Sequence, residues 1–199
     1  MTFLYNGCIE LKVKTKSEIR KEILNIRNNL DSEFVVQKSR IIIDKIKATE
    51  EYKNSKSIMV YMDFKSEVNT KDFVNEALSE GKKIIIPYTD VEKVLIIPVE
   101  IESLDDLIAC KFGYLEPRIE KISNQYDIEK IDLIIVPGVA FDKKRNRVGF
   151  GKGYYDRLLI SRKAKAFAIA YEFQVLEEVP AQEHDIKMDM IITEENIYQ

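Results

Sequence analysis

The chain has 199 residues, 45% of them apolar and 33% charged, and its 31 basic residues are interspersed among 34 acidic ones for a net charge of −3. That balance offers no basic stripe for a nucleic-acid backbone, and no apolar run approaches the ~18 residues of a membrane helix. One histidine, His184, and two cysteines, Cys8 and Cys110, speak against a His-centred triad, a multi-histidine metal site and a disulfide framework, which leaves Lys, Arg, Glu, Asp, Tyr or bound ions for any catalysis.

Residues 1–14 have neither a continuous apolar stretch nor a cleavage site of small residues, and read as an N-terminal extension. Residues 15–199 have the size and composition of one domain, expected to be monomeric and cytoplasmic. At Thr15 a Thr-x-x-Glu capping box with Glu18 opens a helix, and Ile19, Ile23, Ile26 and Leu30 recur at helical spacing as its buried face. Lys16 and Arg20, four apart, share another face one turn from the helix start. A second helix is predicted over Ser32–Ala48 with Phe34, Ile41, Ile42 and Ile46 inward.

From Ser57 the pattern becomes short apolar runs alternating with helical stretches. Strands are predicted at 57–62, at 82–87 (ended by Pro87), at 94–99, at 131–138 and at 166–171, with helices at 70–81, closed by Gly81, and 153–163. Runs so continuously apolar suit strands covered on both faces. The fold class is therefore α/β: a three-layer α/β/α, open, mostly parallel, Rossmann-like sheet preceded by N-terminal helices. Residues 116–130 read as the longest surface excursion.

After the strand at 131–138 comes a turn-rich loop and then a helix, the place where open α/β sheets bind ligands. The segment "VGFGKGYYD", Val148–Asp156, sets Gly149, Gly151 and Gly153 around Lys152. Such glycines can aim backbone amides at phosphate oxygens while the lysine adds a mobile charge. The spacing matches neither the P-loop nor the dinucleotide fingerprint. Taken alone it also suits a tight turn with Asp156 complementing a helix start, Lys152 solvated, and Tyr154 and Tyr155 packed.

The longer segment "PGVAFDKKRNRVGFGKGYYDRLL" resembles the signature of the 5-formyltetrahydrofolate cyclo-ligases, also called methenyltetrahydrofolate synthetases. The family's helical K-x-x-x-R appears as "KSEIR", its post-strand loop glutamate in "VYMDFKSEVNT", its mid-chain element as "GYLEP", and its paired aspartates as "HDIKMD", in order from Lys16 to about Thr193. The resemblance implies an ATP- and magnesium-dependent ligase that closes 5-formyltetrahydrofolate to 5,10-methenyltetrahydrofolate, releasing ADP and phosphate.

The resemblance also implies residue roles. Lys16, Arg20 and Arg147 through Tyr155 (Arg147, Val148, Gly149, Phe150, Gly151, Lys152, Gly153, Tyr154 and Tyr155) would bind ATP, with Lys152, Arg147 and Tyr154 nearest the chemistry. Met62, Glu67 and Phe150 through Tyr154 would face the folate, while Asp156 and Asp185 would hold Mg2+, directly or through water, with Asp189 as the next candidate. His184 is assigned no role. Phe150 stands where the family often has a small or basic residue, and Ala140 where glycine is frequent, which leaves the width of the folate mouth open. Rival readings are a sugar-phosphate isomerase-like enzyme, which would need neither ATP nor a pterin pocket, and a non-catalytic folate- or nucleotide-binding protein.

Overall fold

A computed structural model describes residues 14–182 and 185–199; the leader with Cys8, and His184, lie outside the described residues. Three helices come first, α1 (Lys16–Asn28), α2 (Ser32–Ala48) and α3 (Glu50–Asn54), followed by β1 (Ser57–Met59), α4 (Lys71–Ser79), β2 (Lys83–Asp90) and β3 (Leu95–Ile101). A short hairpin, β4 (Leu107–Ala109) and β5 (Leu115–Pro117), precedes β6 (Leu133–Val136), β7 (Ala140–Asp142) and β8 (Arg147–Val148). The chain then forms α5 (Tyr154–Leu159), β9 (Lys165–Ile169), β10 (Val175–Leu176), β11 (Met190–Ile192) and β12 (Ile197–Tyr198).

Seven strands make the central sheet in the order β12-β11-β9-β6-β1-β2-β3. The five inner strands are parallel, and the two edges, β3 and β12, are antiparallel to their neighbours. Successive residues of a strand point to opposite faces, and here both faces are dry. Ile58, Ile84, Ile86, Leu133 and Ile135 pack with α2 and α4 through Ile42, Ile46, Phe73 and Val74. Met59, Ile85, Ile134 and Val136 pack on the other side with Phe141, Leu159 and Met188. The mostly parallel α/β sheet is thus the expected fold.

Local departures from the sequence reading have physical causes. In α1 Ile19 and Ile23 are buried, but Ile26 is 42% exposed and Arg27, at 4%, is the inward residue of the next turn. Ile26 and Arg27 flank the apolar stripe on its two sides, and at this end the neighbouring chain lies on the arginine's side and supplies a carboxylate. In α2 the buried stripe is Val35, Ser39, Ile42, Ile43 and Ile46, so Ile41, one residue off it, faces solvent at 42% exposure.

Pro87 does not end its strand: β2 continues to Asp90 opposite β3, with Pro87 facing Pro98. The Pro98 carbonyl turns away from β2 to accept from the Tyr126 amide at 2.8 Å, so the two prolines form a non-hydrogen-bonded pair. The missing N–H of Pro87 then falls on the side where β1 has already stopped. Residues 116–130 run over the surface as expected, with two 3₁₀ turns, Ile119–Asn124 and Ile128–Lys130; the first packs along β3 and Gln125 bridges to Val99, covering that edge. The helix after the glycines is shorter than predicted. It stops at Leu159, whose side chain is buried, while Arg162 bonds the Ala164 carbonyl and Asp189 and leads the chain into β9. Among the described residues no helix is long and apolar enough to cross a membrane.

Candidate active site

The loops at the carboxyl ends of β1 and β6 meet over a cavity of about 680 Å³, within the usual size of a small-molecule site. Its walls are largely apolar: Met62 and Phe64 follow β1, Pro87 belongs to β2, Ile96 to β3, and Phe112 and Tyr114 come from the β4–β5 hairpin. The polar groups are few and come mainly from the loop after β1, from Thr89, and from Arg147–Asp156.

The loop after β1 is built to fix Glu67. Asp63 accepts from the amides of Thr70 (2.8 Å) and Lys71 (3.2 Å) at the start of α4, and the Thr70 hydroxyl donates to the Tyr61 carbonyl at 2.8 Å. Glu67 closes the loop on itself, its Oε2 accepting from the Phe64 amide at 3.1 Å and its own amide donating to the Phe64 carbonyl at 3.2 Å. The Tyr171 hydroxyl donates to the Glu67 carbonyl at 3.2 Å, and the Asn69 amide donates to Ser39 in α2. Glu67 is only 9% exposed. Burial pushes its carboxyl up to about 7, and the Arg27 guanidinium, 3.6 Å from Oε1, and the Phe64 amide pull the other way.

The glycine segment forms the opposite wall. Arg147 is 7% exposed and donates to Asp156 Oδ1 at 2.8 Å and to the Pro137 carbonyl at 3.4 Å, with its guanidinium 5.7 Å from the centre of the Tyr155 ring. A Cβ on residue 149 would lie 2.7 Å from that guanidinium, so any larger residue there would push Arg147 from its place beside Asp156. Gly151, at φ 102°, reverses the chain in a conformation that side chains disfavour. Lys152 lines the cavity with its ammonium free of ion pairs among the described residues.

Behind the loop stands α1. Arg20 donates through Nε to the Gly149 carbonyl at 2.6 Å, and its guanidinium would be 3.5 Å from a Cβ on Gly151. Lys16, one turn earlier, pairs with Asp185 Oδ2 at 2.5 Å, which also accepts from the Gln182 amide at 2.7 Å. The structure therefore brings Met62, Glu67, Arg147, Gly149, Phe150, Lys152, Gly153, Tyr154, Tyr155 and Asp156 to one cavity. Arg20 and Gly151 meet on the outer side of the same loop, Lys16 and Asp185 pair with each other one turn of α1 before Arg20, and Val148 is buried behind the loop against Ile19 and Ile23. Asp189 belongs to neither group: it accepts from Arg162 and the Ala166 amide and pairs with Lys165, holding β9 to β11.

Arg27, Phe64, Phe112 and Tyr114 are not among the site residues expected from the sequence, although Phe64 and Tyr114 fall within the motifs "VYMDFKSEVNT" and "GYLEP". An arginine four residues after Ile23 and two aromatics flanking Gly113 were the available signals.

Among the described residues no three His, Cys, Asp or Glu side chains come together to hold a metal, and Asp156 and Asp185 each already pair with a cation of the protein. Asp156 lines the cavity and Asp185 pairs with Lys16 outside it, so each would serve only as a single ligand of a magnesium ion held chiefly by phosphate oxygens and water.

An open α/β sheet with cations and glycine amides at the mouth of a largely apolar cavity has the make-up of a small-molecule site. The description "5-formyltetrahydrofolate cyclo-ligase family" fits residues 12–194, and the chain belongs to that family of ligases. It is 30% identical over 196 residues to a probable 5-formyltetrahydrofolate cyclo-ligase of Schizosaccharomyces pombe, covering 92% of this chain and 96% of that one. The NMR structure of Aquifex aeolicus 5,10-methenyltetrahydrofolate synthetase is similar at a TM-score of 0.82 and 39% identity, with 92% of each chain covered. A 5,10-methenyltetrahydrofolate synthetase from Mycoplasma pneumoniae gives 0.74 and 29%, covering 91% of this chain and 99% of that one.

Proposed function

We propose that residues 15–199 act as one monomeric domain that converts 5-formyltetrahydrofolate and ATP into 5,10-methenyltetrahydrofolate, ADP and phosphate. The observation that carries this reading is the two-sided glycine loop: its inner face, with Lys152, borders the apolar cavity, and its outer side lies against Arg20. A triphosphate bound along the loop would place its last phosphate at the cavity mouth, over a pterin lying between Met62 and Tyr154.

The reaction needs a poor leaving group made good. The formyl oxygen on N5 attacks the terminal phosphorus, the bond to ADP breaks, and the oxygen becomes part of a phosphate ester. N10 then attacks the formyl carbon, loses its proton, and the C–O bond to phosphate breaks to leave the methenyl bridge between N5 and N10. Phosphoryl transfer asks a protein chiefly for positioning and charge stabilisation. Lys152 would meet the charge on the transferring phosphoryl group, Arg147 would hold Asp156 and the loop in register, and Tyr154 would border both substrates. Arg20, Lys16 and the amides of 149–153 would bind the rest of the triphosphate. Asp156 and Asp185 are the residues to hold magnesium beside those phosphates, where it would neutralise charge on the transferring group. Glu67 would accept hydrogen bonds from the amino group and ring N–H of the pterin.

The test is the near-ultraviolet absorbance of the methenyl product on mixing protein with 5-formyltetrahydrofolate. It is expected only when ATP and magnesium are both supplied; its appearance without ATP, or its absence with both, would overturn the proposal.

A further inference from the structure

We infer that Arg27 is a positioning residue of the folate site, supplying from α1 the counter-charge that favours the carboxylate form of Glu67 on the cavity wall. This rests on the reading of the cavity as a folate site.

Arg27 lies in the last turn of α1, where Ile19 and Ile23 have set the inward side, and it is as buried as they are. Its Nη2 is 3.6 Å from Glu67 Oε1, beyond direct hydrogen-bond reach, so it acts on the carboxylate by charge. Its Nε is buried with no hydrogen-bond partner. The half-exposed ring of Phe150 covers it, 5.7 Å from the guanidinium carbon, as a cation–π contact that holds it away from water. A residue serving only the packing of α1 would be apolar, since a buried, incompletely bonded arginine costs stability.

The charged and titratable groups around Glu67 are Arg27 from α1, Asp63 from its own loop, Tyr61 after β1, Tyr171 after β9 and Tyr155 from α5, with Arg147 beyond Tyr155 and held by Asp156. Arg27 is the cation that acts on the Glu67 carboxyl directly, at 3.6 Å. Burial alone favours the neutral acid, which would present an O–H toward a pterin edge that itself offers N–H donors. The guanidinium opposes that by favouring the acceptor-only form. It links three parts of the chain: the N-terminal helix, the loop after β1, and, through Phe150, the glycine loop.

The experiment compares Arg27→Met and Arg27→Lys with the unaltered chain in steady-state assays from pH 6 to pH 9, varying 5-formyltetrahydrofolate and ATP separately. At pH 7 Arg27→Met should raise KM for the folate about fivefold, because moving the protonation equilibrium of Glu67 from about 7 up by about one unit cuts its ionised share from roughly a half to roughly a tenth, with kcat and KM for ATP nearly unchanged. The penalty should shrink toward pH 9, where Glu67 ionises without help, and Arg27→Lys should recover most of the affinity at pH 7. A loss of the same size across the whole pH range, or equal losses for folate and ATP, would make Arg27 a purely structural residue and overturn the inference. Should Arg27→Met fail to fold, Arg27→Lys decides: retained folate KM at pH 7 supports the charge role, and a loss that does not vary with pH sinks it. An unaltered chain that forms no methenyl product would instead remove the folate reading itself.

Discussion

The two sides of the glycine loop hold their charges by opposite means. On the inner side Arg27, Glu67 and Arg147 are nearly sealed from water, and each depends on a fixed neighbour: Glu67 for Arg27, Asp156 and the Pro137 carbonyl for Arg147. On the outer side and at the rim, Lys16, Arg20 and Lys152 keep contact with solvent, and Lys152 has no ion pair among the described residues. Buried charges are costly to leave unpaired, whereas exposed ones cost little until a ligand arrives. The inner set therefore suits recognition of a fixed shape, and the rim suits a charge that develops or moves.

The largest expected effect tests the rim. Lys152→Ala should lower kcat by roughly 10²–10³-fold, the usual size for losing one group aimed at transition-state charge, with a much smaller change in KM for ATP. Steady-state assays measure both. If KM rose and kcat held, the ammonium would be a ground-state anchor, and the contrast between the two sides would lose its functional meaning.

Next comes the inner side. Glu67→Gln should raise KM for the folate about tenfold by replacing one acceptor of a donor pair with an amide that also donates. It should also change stability in a pH-dependent way. Burial raises the folded-state pKa of Glu67 from 4.5 to about 7, so the folded chain holds this proton more tightly than the unfolded one. The resulting stability is fully present below pH 4.5 and is lost as pH rises through 7. Between pH 5 and pH 8 the Gln variant should therefore gain about 2–3 kcal/mol on the unaltered chain. Denaturant titrations at the two pH values measure the difference. Parallel stability curves would mean that Glu67 is ionised throughout and its burial is compensated more fully than the geometry indicates.

The same contrast explains what the sequence made legible. Lys16, Arg20, the three glycines, Lys152 and Asp156 are readable because they fall in short contiguous motifs, a helix turn, a five-residue loop and a helix start, on which the family resemblance rests and which spacing alone leaves open. The parallel strands are readable because a strand covered on both faces must be apolar at every position. Arg27 is not readable in that way. Its burial is decided by a carboxylate 40 residues further along, and helical periodicity assigns Ile26 to the inside at least as well. Phe112 and Tyr114 reach the cavity only because the β4–β5 hairpin folds against the end of β2, a tertiary contact with no sequence period. Pro87 misleads for a related reason: the rule that proline ends a strand holds only where its N–H is needed, and here β1 has stopped first.

A smaller effect is expected at Lys16. Its side chain is about one-fifth exposed and already paired with Asp185 at 2.5 Å, so replacing it removes one of several cations and leaves Arg20 against the loop. Lys16→Ala should raise KM for ATP several-fold, on the order of 1 kcal/mol for a partly screened pair, with the folate KM unchanged. An equal change in both would show that α1 shifts as a body, joining the two sides mechanically.

The smallest effect separates neighbours in α1. Ile26→Gln removes an apolar side chain that is 42% exposed, from the turn that holds Arg27. A glutamine has nearly the same helix propensity as its best alternatives, and a surface substitution away from buried polar groups is usually worth within about 0.5 kcal/mol. Thermal melts should place the variant within a degree or two of the unaltered chain, and both KM values should hold. If Ile26 were the inward residue, as its spacing alone suggests, the same change would bury an amide with no partner and cost about 1–3 kcal/mol, and Arg27 would swing outward to leave Glu67 without its cation.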